Sequence, residues 1–228
     1  AASLLSALIV FLVMPHFIRY LQKKDATSDF DGGQRKSPPL FGGLLVVAAV
    51  IIATLSFSIL NPYAVSILII LVAYTLIGAV DDFYKIRSKQ LVAAGKLSKK
   101  DYQEKADGLS ASLRLFLYFL FSLIVAFFAY KFIPGLDAHL TVPFVKPEIW
   151  FPYLPNWAFI LLISFVTTST ANGANFTDGL DTLVSIPIIT TSAFVGIVAY
   201  ISGNAIFSKY FLIPYLPGVD ELLPICAA

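Results

Sequence analysis

The sequence predicts an all-α protein, a polytopic integral membrane bundle of six transmembrane helices plus the start of a seventh. Three observations carry this. Of the 228 residues, 58% are hydrophobic and 13% charged, against about 45–50% and about 25% in soluble domains. Charge at half the usual level does not cover a globular surface. The apolar residues also lie in long blocks rather than in repeats or polar tracts, which excludes collagen-like, coiled-coil and disordered classes. Finally, the basic residues are sorted to alternate connections between the blocks. The net charge of +2 decides nothing until its placement is known. The single cysteine, Cys226, sits in an apolar run and excludes an intramolecular disulfide and a cysteine metal cluster.

About 20 apolar residues cross the hydrocarbon layer as a helix. Stretches of that kind run at Ser3–Leu21, Leu40–Leu60, Tyr63–Val80, Leu113–Ile133, Trp157–Ala174 and Leu183–Ile201. A seventh begins near Val219 and is cut off at Ala228. The first is a retained span and not a secretory signal, because His16 and Arg19 stand at its far end and no small-residue cleavage pattern follows. The connections 22–39 and 81–112, with Arg19 and Arg114 at their edges, hold all but three of the 16 Lys and Arg residues. Lys131, Lys146 and Lys209 are the exceptions. Positive charge marks the cytoplasmic side. The outer connection at Pro134–Asn156 is rich in Pro and holds Trp150, Phe151 and Tyr153 close together, as segments at the headgroup level do. Asn204–Gly218 is a smaller version of it. The polar insert Lys85–Ser110 is the one soluble segment of any length, with a short surface helix expected at Ser98–Ala106. Residues 1–228 form one transmembrane domain. The chain opens Ala-Ala, its sole methionine is Met14, and it is expected to be truncated at both ends.

Acids beside apolar helices are the informative residues, since an ionised carboxylate at membrane depth normally faces an aqueous cavity or a cation. Asp81-Asp82 closes the third span. Adjacent helical positions point about 100° apart, so both line one cavity mouth without sharing a face. A divalent cation would relieve their repulsion, and pairing with Lys85 and Arg87 is the plain structural alternative. The second cluster, Asn172-Gly-Ala-Asn-Phe-Thr-Asp-Gly-Leu-Asp181, bridges the fifth and sixth spans. Asn172, Asn175, Asp178 and Asp181 recur every three residues and form one polar strip, on an α-helix or a 3₁₀ turn. Gly173 and Gly179 permit tight turns or close ligand approach. Capping of the sixth span by Thr177 or Asp178 is the alternative here, and it explains one residue of the four.

By the alternating topology, Asp178 and Asp181 emerge on the same face as Asp81 and Asp82. Four carboxylates there make a candidate Mg²⁺ site, because Mg²⁺ takes hard oxygen ligands and is often shared with substrate phosphates. Lys36, Lys85 and Arg114 fall beside it as candidate phosphate ligands, or else as anchors for anionic headgroups. Gln34-Arg-Lys-Ser-Pro-Pro-Leu-Phe-Gly-Gly-Leu-Leu45 opens the second span and holds Arg35 and Lys36 to that face; its Gly42-Gly43 is also what a helix–helix contact uses. Neither histidine forms part of a metal triad. There is no Walker loop, dinucleotide fingerprint, Ser-His-Asp order or nucleic-acid motif.

Three segments taken together, Pro39-Leu-Phe-Gly-Gly43, Gly78-Ala-Val-Asp-Asp-Phe-Tyr-Lys85 and Asn172 through Asp181, resemble the polyprenyl-phosphate N-acetylhexosamine-1-phosphate transferase superfamily. Val142-Pro-Phe, Ser208 through Tyr215 and Glu221 through Cys226 are similar to its peptidoglycan-synthesising branch. The chain departs from the common pattern at Thr182, where Gly is usual, at Ser37-Pro-Pro-Leu-Phe, and at Arg114, where Lys is common. The resemblance implies a fragment of a ten-helix enzyme, lacking a further Asp and a His-rich loop and inactive by itself.

It also implies a reaction, in which undecaprenyl phosphate attacks the β-phosphate of UDP-MurNAc-pentapeptide to give lipid I and UMP with Mg²⁺. Asp81, Asp82 and Asp178 are then the expected catalytic residues, and with Asp181 the expected metal ligands. Lys36, Lys85, Arg114, Asn172, Asn175, Gly179 and Asp181 would bind substrate. Membrane lipids and a homodimer are further expected partners, nucleic acid is not, and the expected location is the bacterial inner membrane with the site on its cytoplasmic face. A sister transferase using UDP-GlcNAc fits the same motifs. A transporter with acidic coupling residues is the rival of another class, though such residues usually lie near the midplane.

Overall fold

The computed structural model describes residues 1–24, 40–93, 108–136, 138–140, 153–177 and 183–228. Its described elements are helical: α1 (Ala2–Lys23), α2 (Gly42–Phe57), α3 (Pro62–Ala93), α4 (Ala111–Phe132), α5 (Asn156–Thr177), α6 (Ser185–Gly203) and α7 (Ala205–Phe211). A 3₁₀ turn at Val219–Leu222 then leads into α8 (Leu223–Ala227). The all-α membrane architecture is as the hydropathy predicts. Among the described residues, five helices (α1, α3, α4, α5 and α6) are long and apolar enough to cross a membrane. The second expected span is shorter: α2 has 16 residues, a rise of about 24 Å. It starts only at Gly42 because Phe41 holds a left-handed φ of 64° at its N-cap. The expected seventh span is observed as the 3₁₀ turn and α8.

Two further expectations need correction. The third span does not end at Val80; α3 runs for 32 residues to Ala93. Asp81, Asp82 and Lys85 are therefore interior helical residues. The apolar run ends where the charges of Asp81 and Asp82 begin, whereas the helix continues because Phe83–Ala93 contains no Pro or Gly to stop it. The connection Asn204–Gly218 is also not merely a loop, since Asn204 Oδ1 accepts the Ile206 and Phe207 N–H groups and caps α7. The expected surface helix at Ser98–Ala106 lies outside the described residues.

The bundle is packed through small side chains. Ala49, Ala53 and Ala64 are fully buried, while Phe11 is 79% and Ile206 77% exposed. Lipid is as apolar as leucine, so burial of large side chains drives nothing there, and close approach at small and hydroxyl residues holds helices together. α3 packs on α4, α4 on α5, α1 on α2, and α6 on the 3₁₀ turn. Between α3, α4 and α5, the Tyr74 hydroxyl bonds Ser122 Oγ and the Tyr118 carbonyl, and Thr168 Oγ1 donates to Ser122 Oγ at 3.2 Å. At one end of the bundle, Asn61 Nδ2 donates to the Gly218 carbonyl at 2.7 Å and Glu221 Oε2 accepts Ile59 N–H at 2.7 Å. The α2–α3 turn is thus tied to the segment before α8.

Candidate active site

At the opposite end of the bundle, the start of α2, the later part of α3, the start of α4 and the end of α5 surround a cavity of about 320 Å³. Asp81, Asp82, Lys85, Arg114 and Asn175 all line it. At 1.5 Å per residue, Asp81 stands about 28 Å from the start of α3. That is the far edge of a hydrocarbon layer about 30 Å thick. A helix that enters the layer at Pro62 carries the acids well past its midplane, which counts against the transporter reading.

Asp81 is 5% exposed, and its charge is compensated from three sides. Lys85 Nζ lies 2.7 Å from Oδ2, one helical turn on, in the favourable Asp-before-Lys order. Arg114 Nη1 reaches the same oxygen at 4.0 Å. Oδ1 accepts the Leu109 backbone N–H at 2.7 Å. Asp82 is half-buried and turned to the other side, where its Oδ2 accepts the Phe41 N–H at 2.8 Å. The left-handed Phe41 is thereby held at the cavity rim. Backbone in that region is costly for a non-glycine residue and persists where its surroundings over-determine it.

Arg114 is the loosely held member. Among the described residues its buried Nε has no hydrogen-bond partner, and its ion pair with Asp81 is long, at 4.0 Å. A guanidinium with donors to spare, beside a cavity, is suited to a planar bidentate anion such as a phosphate. The two carboxylates and two cations on the wall balance one another.

Of the Asn-rich string, α5 carries Asn172 and Asn175 as α-helical residues, and Asn175 alone of the two lines the cavity. Thr177 does not cap the sixth span; its hydroxyl donates to the Gly173 carbonyl at 2.9 Å, and the N-cap of α6 is Val184. Lys36, Asp178, Gly179 and Asp181 lie outside the described residues. No group of three metal-ligating side chains occurs among the described residues. Gly42 and Gly43 do not mark a tight helix contact, since an added Cβ at either meets nothing within 4 Å. Gly43 and Gly78 leave room at the cavity wall instead.

Gly108 and Leu109 escaped the sequence reading. Their signal is local, an Asp-Gly turn dipeptide just ahead of Ser110, which caps α4 by accepting the Leu113 N–H at 3.4 Å. Tyr118, one turn beyond Arg114 on α4, was also missed. It lines the cavity and stacks on Tyr74 with ring centroids 4.6 Å apart.

The model of glycosyl transferase family 4 matches residues 63–216. Among curated relatives, a phospho-N-acetylmuramoyl-pentapeptide-transferase of Desulfotalea psychrophila is 33% identical over 235 residues, covering 99% of this chain and 59% of the relative. One of the same name from a Nitratiruptor species is 32% identical over 228 residues, covering 96% and 59%. The chain thus spans about three fifths of the length of these relatives.

Proposed function

The chain belongs to glycosyl transferase family 4, and from that premise we propose that it carries part of the active site of a phosphoglycosyl transferase. The reaction is transfer of phospho-MurNAc-pentapeptide from its UDP-sugar to undecaprenyl phosphate, giving lipid I and UMP at the cytoplasmic face of the bacterial inner membrane. The observation that supports it best is the convergence of Asp81, Asp82, Lys85, Arg114 and Asn175 on one cavity at the end of the membrane helices. A lipid phosphate and a soluble nucleotide sugar can meet only at such an interface.

In the reaction, a lipid phosphate oxygen bonds to the β-phosphorus of the nucleotide sugar. The bond from that phosphorus to the bridging oxygen breaks, and UMP leaves with the electron pair. Phosphoryl transfer of this kind asks for positioning and charge neutralisation more than for covalent help. Arg114, with its uncommitted Nε, takes a phosphate edge. Lys85 supplies a second positive charge, and the Asn175 amide orients the nucleotide diphosphate. Gly43 and Gly78 leave space for the backbone to approach it.

The residues present fit Mg²⁺ in kind: Asp82 and Asn175 bring hard oxygen atoms to the same cavity, and Asp178 and Asp181 follow within six residues of Asn175. The balance of charge on the wall argues for it too, since Lys85 and Arg114 offset only Asp81 and Asp82, and a diphosphate adds negative charge beyond that. Bound Mg²⁺ would neutralise the pyrophosphate oxygens and the leaving UMP.

The test is UMP release by the protein as its gene encodes it, in membranes with undecaprenyl phosphate and either UDP-MurNAc-pentapeptide or UDP-GlcNAc. Mg²⁺-dependent release with the muramoyl substrate is expected. Release with UDP-GlcNAc alone would reassign the donor, and release with neither would overturn the reading.

A further inference from the structure

Asp81 and Asp82 leave α3 about 100° apart, and the divergence lets each tie down a different neighbour. Asp82 accepts the Phe41 N–H immediately before α2. Asp81 accepts the Leu109 N–H immediately before α4. Asp81 is the more committed of the two, because its Oδ1 serves Leu109 and its Oδ2 serves Lys85 and Arg114.

A second observation stands independently of these bonds. Gly108 has a φ of +74°, and a Cβ built on it would fall 2.9 Å from Asp81 Cγ and 3.0 Å from the Asp81 carbonyl oxygen. The backbone ahead of α4 is therefore pressed directly onto the Asp81 carboxylate, in a conformation and at a distance that only glycine tolerates.

We propose that Asp81 is a positioning residue, which with Gly108 latches the start of α4 to α3 and so fixes Arg114 at the cavity. The work toward substrate and cation then falls to Asp82, whose side chain is half-buried at the cavity and points to the α2 side. The latch itself follows from geometry; what Arg114 does for substrate rests on the function proposed above.

Amide deuterium exchange reads the latch without any substrate. In the protein as its gene encodes it, held in nanodiscs, Gly108→Ala and Asp81→Ala should each speed exchange across residues 109–114 about tenfold, the effect of losing one charge-assisted bond. Exchange across residues 41–47 should stay at the wild-type rate, which also shows that the variant is folded. Asp82→Ala should do the reverse. Asp81→Asn, which keeps an acceptor for Leu109, should retain most of the protection at 109–114. In turnover, Gly108→Ala should raise the KM for the nucleotide sugar about tenfold, and adding Arg114→Ala to it should cost little more. Wild-type exchange at 109–114 in both Gly108→Ala and Asp81→Ala would overturn the latch. A wild-type KM in Gly108→Ala, or full multiplication of its effect by Arg114→Ala, would overturn its link to Arg114. Should the wild type turn over no nucleotide sugar, the proposed function fails, and the exchange rates still decide the latch.

Discussion

Asn172 and Asn175 look equivalent in sequence, and the structure separates them. Both lie on α5, about 60° and 4.5 Å apart, but Asn175 lines the cavity and Asn172 does not. The perturbation is alanine at each position. Helix propensity favours Ala over Asn by the same few tenths of a kcal/mol at both, so effects on the fold cancel in the comparison. What remains for Asn175→Ala is one hydrogen bond from an amide to a charged diphosphate, about 1.5–3 kcal/mol. At about 1.4 kcal/mol per factor of ten, kcat/KM should fall about 10- to 150-fold. Asn172→Ala should stay within about threefold. The assay is UMP release from the muramoyl nucleotide at sub-saturating concentration, with both variants reconstituted at equal protein content. Equal losses in the two, or a larger loss in Asn172→Ala, would refute the assignment of the cavity to α5 through Asn175.

Other consequences are simpler to state. Asp82→Asn and Asp178→Asn should each abolish Mg²⁺-dependent UMP release, and chelation with EDTA should do the same reversibly; turnover retained in both variants would sink the proposed site. Ser122→Val should destabilise the bundle by about 1–2 kcal/mol, because it strands the Thr168 hydroxyl and leaves the Tyr74 hydroxyl only the Tyr118 carbonyl between α3, α4 and α5; unfolding in mixed micelles measures this, and an unchanged midpoint would deny the network any energetic role. Gly203→Ala should cost about 1–3 kcal/mol, since the added Cβ falls 2.6 Å from Asp220 Cβ and drives α6 away from the 3₁₀ turn. Gly173→Ala meets nothing within 4 Å inside α5 and should gain about 0.5–1 kcal/mol instead; the same sign for both in a thermal unfolding series would contradict the packing described.

The architecture was legible because the constraint is severe: a span must satisfy its own backbone and hide no charge, so apolar length and the sorting of Lys and Arg report it directly. Helix ends were less legible. The apolar run stops at Val80 because two acids follow it, while α3 runs on to Ala93. The second span reads long in sequence because Leu40 and Phe41 are apolar, but left-handed Phe41 ends the helix behind it. Within the site, Asp81, Asp82, Lys85, Arg114 and Asn175 could be named from the sequence because charged and amide groups beside apolar spans are costly without a task. Gly108 was not, since its Asp-Gly dipeptide signals a turn but not the contact with Asp81 across 27 positions of chain.

The adjacency of the two acids also carries an argument that their composition does not. Had they been spaced three or four apart, both would face one partner and repel across one ligand. Placed side by side, they diverge, and each meets a backbone N–H from a different helix start. Two helix N-termini, with the positive ends of their dipoles, are thereby drawn to one cavity that an anionic substrate must enter. The negative charge that attracts those ends is balanced by Lys85 and Arg114, so the wall by itself repels neither a lipid phosphate nor a nucleotide. Binding a diphosphate tips that balance and calls for one more cation. That is the physical reason to expect metal and nucleotide affinity to rise together, and nucleotide binding measured with and without Mg²⁺ should show a coupling of at least about tenfold; independent binding of the two would break the argument.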